Sequence, residues 1–299
     1  MLSTISEKMK KSLLILLLIA INIFGFAQKS ELSPLRYFMQ GNATASSVPY
    51  GNNQSAGHYV KSDDAKIYYE VYGKGSPIVV LHGGIVGSPL EMGQLIDSLS
   101  QKHQVISIST RGHGRSEMGN KIPSYEQKAK DVNAVLEKVT KEKVTIVGFS
   151  DGAYTGYFFA EQYPDRIEKL VAIGAGEWKK GFREFKMDYK TFSAMDELFW
   201  KQQMALRPEP KRIDEWFSTL SSYYNDLNID KTILGQIKCP VLVMAGEKDQ
   251  NAPFDTVITA YKMIPNAQLS IIPNAPHPAF LVNFDAVWTS MKPFLDQNN

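Results

Sequence analysis

The stretch Val144-Thr145-Ile146-Val147-Gly148-Phe149-Ser150-Asp151-Gly152 decides the fold class. Its first four residues are all β-branched, the composition of a strand covered on both faces. Ala153 to Gln162 follows with the character of a helix. Small residues on both sides of Ser150 let the chain turn sharply from strand to helix, which lifts the serine hydroxyl above the sheet edge. The helix that begins after the serine offers its first amides to a developing negative charge. A bare GxSxG recurs by chance, but the flanking strand and helix make Ser150 the candidate nucleophile.

Outward from that turn the same rhythm repeats. Ile78-Val79-Val80-Leu81, Val105-Ile106-Ser107-Ile108, Leu170-Val171-Ala172-Ile173, Val241-Leu242-Val243-Met244 and Leu269-Ser270-Ile271-Ile272 are short strand-like runs. His58 to Lys61 and Ile67 to Tyr72 read as a first hairpin. Between strands, Ser124 to Val139 carries Ala129, Val132, Val135, Leu136 and Val139 at helical spacing. This alternation predicts an α/β domain over residues 57–299, with a mostly parallel central sheet and helices on both faces. Residues 177–236 break the rhythm: they lack a strand pattern and hold many aromatics, among them Trp178, Phe185, Phe192, Trp216 and Tyr224. A helical, aromatic insertion after the sixth strand reads as a lid over an active site. The plainer alternative is additional helical packing.

A chain of 299 residues can bury a full core, and its composition is that of an ordinary globular protein. The single cysteine, Cys239, excludes an intrachain disulfide and a cysteine-rich metal site, and its apolar surroundings mark it as an inert thiol. At the N-terminus, Lys8, Lys10 and Lys11 precede the apolar run Leu13 to Ile21, which extends towards Phe26 and ends in Gly25-Phe26-Ala27. That pattern predicts a signal peptide over residues 1–27, with Met9 as an alternative start, and export to the periplasm or beyond the cell. An uncleaved anchor is the rival, and stable membrane insertion after cleavage is not expected. Cleavage takes the formal charge from +2 to about neutrality, so no basic excess remains to suggest a nucleic-acid partner. Residues 28–56, rich in Ser, Asn and Gly, read as a flexible leader docking at most through Leu35, Tyr37 and Phe38. The sequons Asn42-Ala43-Thr44 and Asn53-Gln54-Ser55 matter only in a eukaryotic secretory pathway.

A serine hydroxyl needs a base, most often a histidine. Of five histidines, His58 and His103 begin strands, while His82 and His113 precede the nucleophile in glycine-rich turns. His277, in Asn274-Ala275-Pro276-His277-Pro278, stands just past the last strand, where the loop can reach the turn at Ser150. The base in turn needs a carboxylate to fix its tautomer. Asp249, ending Ala245-Gly246-Glu247-Lys248-Asp249 after another strand, meets that need, with Glu247 as the nearby rival.

The order Ser150, Asp249, His277 and the turn around Ser150 resemble the α/β-hydrolase fold superfamily from about residue 57 onward. With Asp after the serine, Gly148-Phe149-Ser150-Asp151-Gly152 is similar to the valacyclovir-hydrolase-like (biphenyl hydrolase-like) serine hydrolases. His82-Gly83-Gly84 matches the family's oxyanion loop, so the resemblance implies backbone amides of Gly84 (or Ile85) and Asp151 as the oxyanion hole. Arg111-Gly112-His113-Gly114-Arg115-Ser116 matches a structural turn of the family, except that Ser109 stands where an Asp is commoner. For the Asp151 side chain two readings stand open. It is favourably placed at a helix N-terminus, or, as the branch resemblance also implies, it binds a substrate ammonium.

These features predict a serine hydrolase that cleaves a small carboxylic ester through an acyl-enzyme on Ser150, with no metal or organic cofactor. Alternatives on the same fold are a proline-iminopeptidase-like amidase and a non-catalytic binding protein.

Overall fold

The computed structural model describes residues 34–41 and 46–297. The expected signal peptide, residues 28–33 of the leader and the Asn42-Ala43-Thr44 sequon lie outside the described residues. Among the described residues, no helix is long and apolar enough to cross a membrane.

Eight strands form one sheet in the order β1-β2-β4-β3-β5-β6-β7-β8. They are β1 (Gly57–Ser62), β2 (Ala65–Tyr72), β3 (Pro77–Leu81), β4 (Gln104–Ile108), β5 (Val144–Phe149), β6 (Ile167–Ile173), β7 (Val241–Gly246) and β8 (Ala267–Ile272). β2 runs antiparallel to β1 and β4, and every other pairing is parallel. β3, β5 and β7 are buried at every residue, which accounts for their unbroken apolar sequences. β8 lies at the edge, and its Leu269 is exposed although its sequence resembles the central strands.

Crossover direction fixes the helices. From β3 to β4 the chain steps one way along the sheet through α1 (Gly93–Leu99). From β4 to β5 and from β5 to β6 it steps the other way, through α2 (Tyr125–Val139) and α3 (Asp151–Gln162). Right-handed crossovers in opposite directions place α1 on one face and α2 and α3 on the other. Ser124 caps α2 by accepting from the Gln127 amide at 3.2 Å, and Tyr125, Ala129, Val132 and Leu136 form its buried face.

After β6 comes the insertion, closed at its base by Trp178 and Ile229, whose backbones exchange hydrogen bonds of 3.0 and 2.7 Å. It carries α4 (Tyr189–Met195), α5 (Glu197–Leu206), α6 (Ile213–Asp226) and α7 (Lys231–Leu234). Its aromatics divide between the two expectations. Phe199, Trp200, Trp216 and Phe217 are buried and pack on one another as the insertion's own core. Trp178, Phe185, Phe192 and Tyr224 face a cavity above the sheet. The chain then returns through β7, α8 (Phe254–Met263) and β8, and ends in α9 (Ala279–Val282) and α10 (Phe284–Asp296).

Residues 46–56 are more firmly held than a flexible leader would be. Tyr50 is buried and donates to Asp97 at 2.5 Å. The amides of Gly51 and Asn53 donate to the Glu70 carboxylate on β2 at 2.8 and 2.7 Å, and Tyr68 and Tyr72 donate to it as well. One buried carboxylate thus collects backbone donors that composition does not reveal.

Candidate active site

The strands β3, β5, β7 and β8 end at one edge of the sheet, and each hands a residue to the site. At the end of β5 the turn is strained: Ser150 has φ 51° and ψ −116°, outside the regions open to most L-residues. A side chain at Gly148 would put a Cβ 2.3 Å from the Gly152 carbonyl oxygen, so this turn closes only with glycine there. The loop after β8 brings His277 over the turn, with Nε2 2.9 Å from Ser150 Oγ. The loop after β7 brings Asp249 behind it, with Oδ2 2.7 Å from His277 Nδ1.

Asp249 is buried, and its other oxygen accepts from the amides of Asn251 and Ala252, each at 2.8 Å. A carboxylate can only accept, so it places the imidazole proton on Nδ1 and leaves the Nε2 lone pair for the serine hydroxyl. The rival Glu247 instead accepts from the Asn274 amide at 2.8 Å. The remaining histidines are engaged elsewhere. His82 is buried between the Gly83 carbonyl and the Thr110 amide, at 2.6 and 3.1 Å, and burial pulls it down to about 4. His113 packs against it and against Trp216, and His103 meets Ser76 at 2.9 Å. His58 lies against Tyr69.

Ser150 and His277 open onto a cavity of about 320 Å³, the size of a small-molecule site. Gly84 and Asp151, the expected oxyanion pair, share its wall. Their approach is tight: a Cβ on Gly84 would fall 2.4 Å from Asp151 Cγ. Glu91, from the short turn of helix Pro89–Met92, accepts from the Gly83 amide at 2.7 Å and holds the preceding residue of that loop. Burial pushes the Glu91 carboxyl up to about 8, against the opposing hydrogen bonds from the Gly83 and Ser88 amides.

The side chain of Asp151 differs from the expectation of a carboxylate waiting for a substrate ammonium. Its ammonium partner is internal: Lys128 Nζ of α2 lies 2.7 Å from Oδ2. The hydroxyls of Tyr224 and Tyr125 complete its shell at 2.6 and 2.8 Å. Burial pushes this carboxyl up, but the Lys128 charge and the three hydrogen bonds outweigh it and hold the group below the usual carboxylate range.

A family model for the alpha/beta hydrolase fold matches residues 76–207. A solved meta-cleavage product hydrolase from Pseudomonas fluorescens IP01 superposes with a TM-score of 0.68 at 18% identity, covering 83% of this chain and all of that one, a likeness of fold alone. This chain has the α/β-hydrolase fold. Curated relatives include the human serine hydrolase BPHL, 26% identical over 73% of this chain and 79% of its own length. A non-heme haloperoxidase of Rhodococcus erythropolis is 26% identical over 79% of this chain and 97% of its own length.

Within this α/β-hydrolase-fold chain, sequence reading missed Lys128, Glu91 and Arg183 at the site, and it placed Tyr224 in the aromatic insertion without its bond to Asp151. Lys128 did leave a signal, because it interrupts the buried stripe of α2 between Tyr125 and Val132. Its side chain is 1% exposed, so Lys128→Met leaves a buried carboxylate without its cation. The expected cost is about 3–5 kcal/mol in urea unfolding, with most of it restored in Lys128→Met/Asp151→Asn.

Glu91 gives a second expectation. Its folded value of about 8 lies above the ordinary 4.5, so the native protein keeps a proton that the unfolded chain releases. The stability it contributes is full below the ordinary value and is lost as pH rises through the folded one. Between pH ~5 and ~8.5 the wild-type melting temperature should therefore fall at least ~3 °C further than that of Glu91→Gln. Parallel curves in scanning calorimetry would count against that role.

Proposed function

We propose that this protein is a serine hydrolase that cleaves a small carboxylic ester through an acyl-enzyme on Ser150. The observation that carries the reading is the continuous relay from Ser150 Oγ to His277 Nε2 and from His277 Nδ1 to Asp249, at 2.9 and 2.7 Å, opening onto the cavity. His277 takes the Ser150 proton as Oγ attacks the ester carbonyl, and Asp249 stabilises the imidazolium that results. The carbonyl oxygen, now negative, is held by the backbone amides of Gly84 and Asp151, the latter at the start of α3. His277 returns the proton to the leaving alcohol. It then draws a proton from water, which attacks the acyl carbon and frees Ser150. The insertion roofs this cavity with aromatic side chains and serves as its lid. The human relative, named a serine hydrolase, supports the same reading.

Rapid mixing with a chromogenic aryl ester tests it. One equivalent of phenol per folded protein should appear in a burst before steady turnover, as an accumulating acyl-enzyme requires. Absence of both burst and turnover across short-chain aryl esters would overturn the proposal.

A further inference from the structure

Besides the tyrosine hydroxyls of Tyr154 and Tyr224, which burial keeps protonated, the cavity wall carries four titratable groups: Glu91, Asp151, Arg183 and His277. Their charges do not cancel. Asp151 is neutralised by Lys128, 2.7 Å away beneath the wall. Glu91 is sealed against the Gly83 amide, and burial keeps it largely protonated near neutral pH. That leaves Arg183, in the insertion. Its guanidinium stacks on Trp178 at 4.5 Å and on Phe185 at 5.3 Å from the ring centroids. One Nη donates to the neutral amide oxygen of Asn251 at 3.1 Å, and Nε is buried without a hydrogen-bond partner. Among the described residues, no carboxylate lies within ion-pair distance of it.

A guanidinium held by aromatic faces, beside an apolar cavity and lacking a counter-ion, is a pre-oriented receptor for a carboxylate. The stacking fixes its plane, and Asn251 fixes one edge, leaving the remaining donors for a ligand. The other side of the cavity offers no unpaired carboxylate to a cation, because Asp151 already has an ammonium partner in Lys128.

We propose that this site selects small esters bearing a second, ionised carboxylate, which Arg183 binds, and discriminates against esters bearing an ammonium. The inference rests on the serine-hydrolase reading for its chemistry but not for its binding. Lys128 thereby acts as a built-in substitute for the substrate amine, and Arg183 reverses the charge the cavity accepts.

Three ethyl esters of similar size separate the possibilities: monoethyl succinate, ethyl butyrate and ethyl 4-aminobutyrate, followed by pH-stat. The wild type should rank them in that order by kcat/KM. In Arg183→Ala the succinate-to-butyrate ratio should fall about tenfold, the loss expected of a charge-assisted contact to a half-buried guanidinium, with partial recovery in Arg183→Lys. Arg183→Gln, which keeps the stacking volume, replaces Arg183→Ala if the latter melts early. An unchanged ratio in these variants, or a wild type that favours ethyl 4-aminobutyrate, overturns the proposal. Calorimetric titration of Ser150→Ala with monoethyl succinate reads binding alone. Arg183-dependent binding with no turnover of any ester would remove the hydrolase reading and leave the anion site standing. Equal binding with and without Arg183 would overturn the anion site whatever the turnover.

Discussion

Ser150→Ala should lower ester turnover by about 10⁵–10⁶-fold while leaving the fold unchanged. Alanine keeps the Cβ and removes only Oγ, so the strained backbone at φ 51° is asked of the same steric class of residue. The hydroxyl's one partner, His277 Nε2, stays within reach of water in the cavity. Unfolding free energy should therefore agree with wild type within about 0.5 kcal/mol. Rate loss together with retained stability places the effect in the chemistry. A residual rate comparable to wild type would mean that another nucleophile or a bound water attacks.

Asp249→Asn should cost about 10³–10⁴-fold in kcat, by a route the hydrogen bonds define. Oδ1 of Asp249 accepts from two backbone amides, so the asparagine carbonyl must take that position. Its NH₂ then faces His277 Nδ1, where it can only donate. The imidazole proton is forced onto Nε2, and the lone pair that should accept the serine proton disappears. Crystal geometry would change little, and the loss should fall on kcat with KM nearly constant. A matching rise in KM with kcat preserved would show Asp249 holding substrate or structure instead of the tautomer.

Much of this was written locally in the chain. The turn at Ser150 is legible because strand, small residues and helix are contiguous, and a parallel sheet sends Asp249 and His277 to the same edge once each is placed after its strand. The partners of Asp151 were not legible. Lys128 lies 23 residues away and Tyr224 lies 73 away on a helix of the insertion, and only packing brings them to one carboxylate. The anchoring of residues 46–56 was hidden for the same reason, since Glu70 collects two backbone amides that carry no sequence signature. The run around Leu269 was legible as a strand but not as an edge strand, because apolar content alone does not separate an edge strand from a central one. The aromatic insertion was recognisable as helical, but which rings line the cavity depended on the orientation of α6 and the path of residues 178–192.

The central claim is that Ser150 is an activated nucleophile, and covalent capture tests it most directly. Folded protein treated with a fluorophosphonate should gain one adduct, mapped by peptide mass spectrometry to Ser150 and suppressed in His277→Ala. Labelling that is absent in folded wild type, or that survives in Ser150→Ala, would contradict the account.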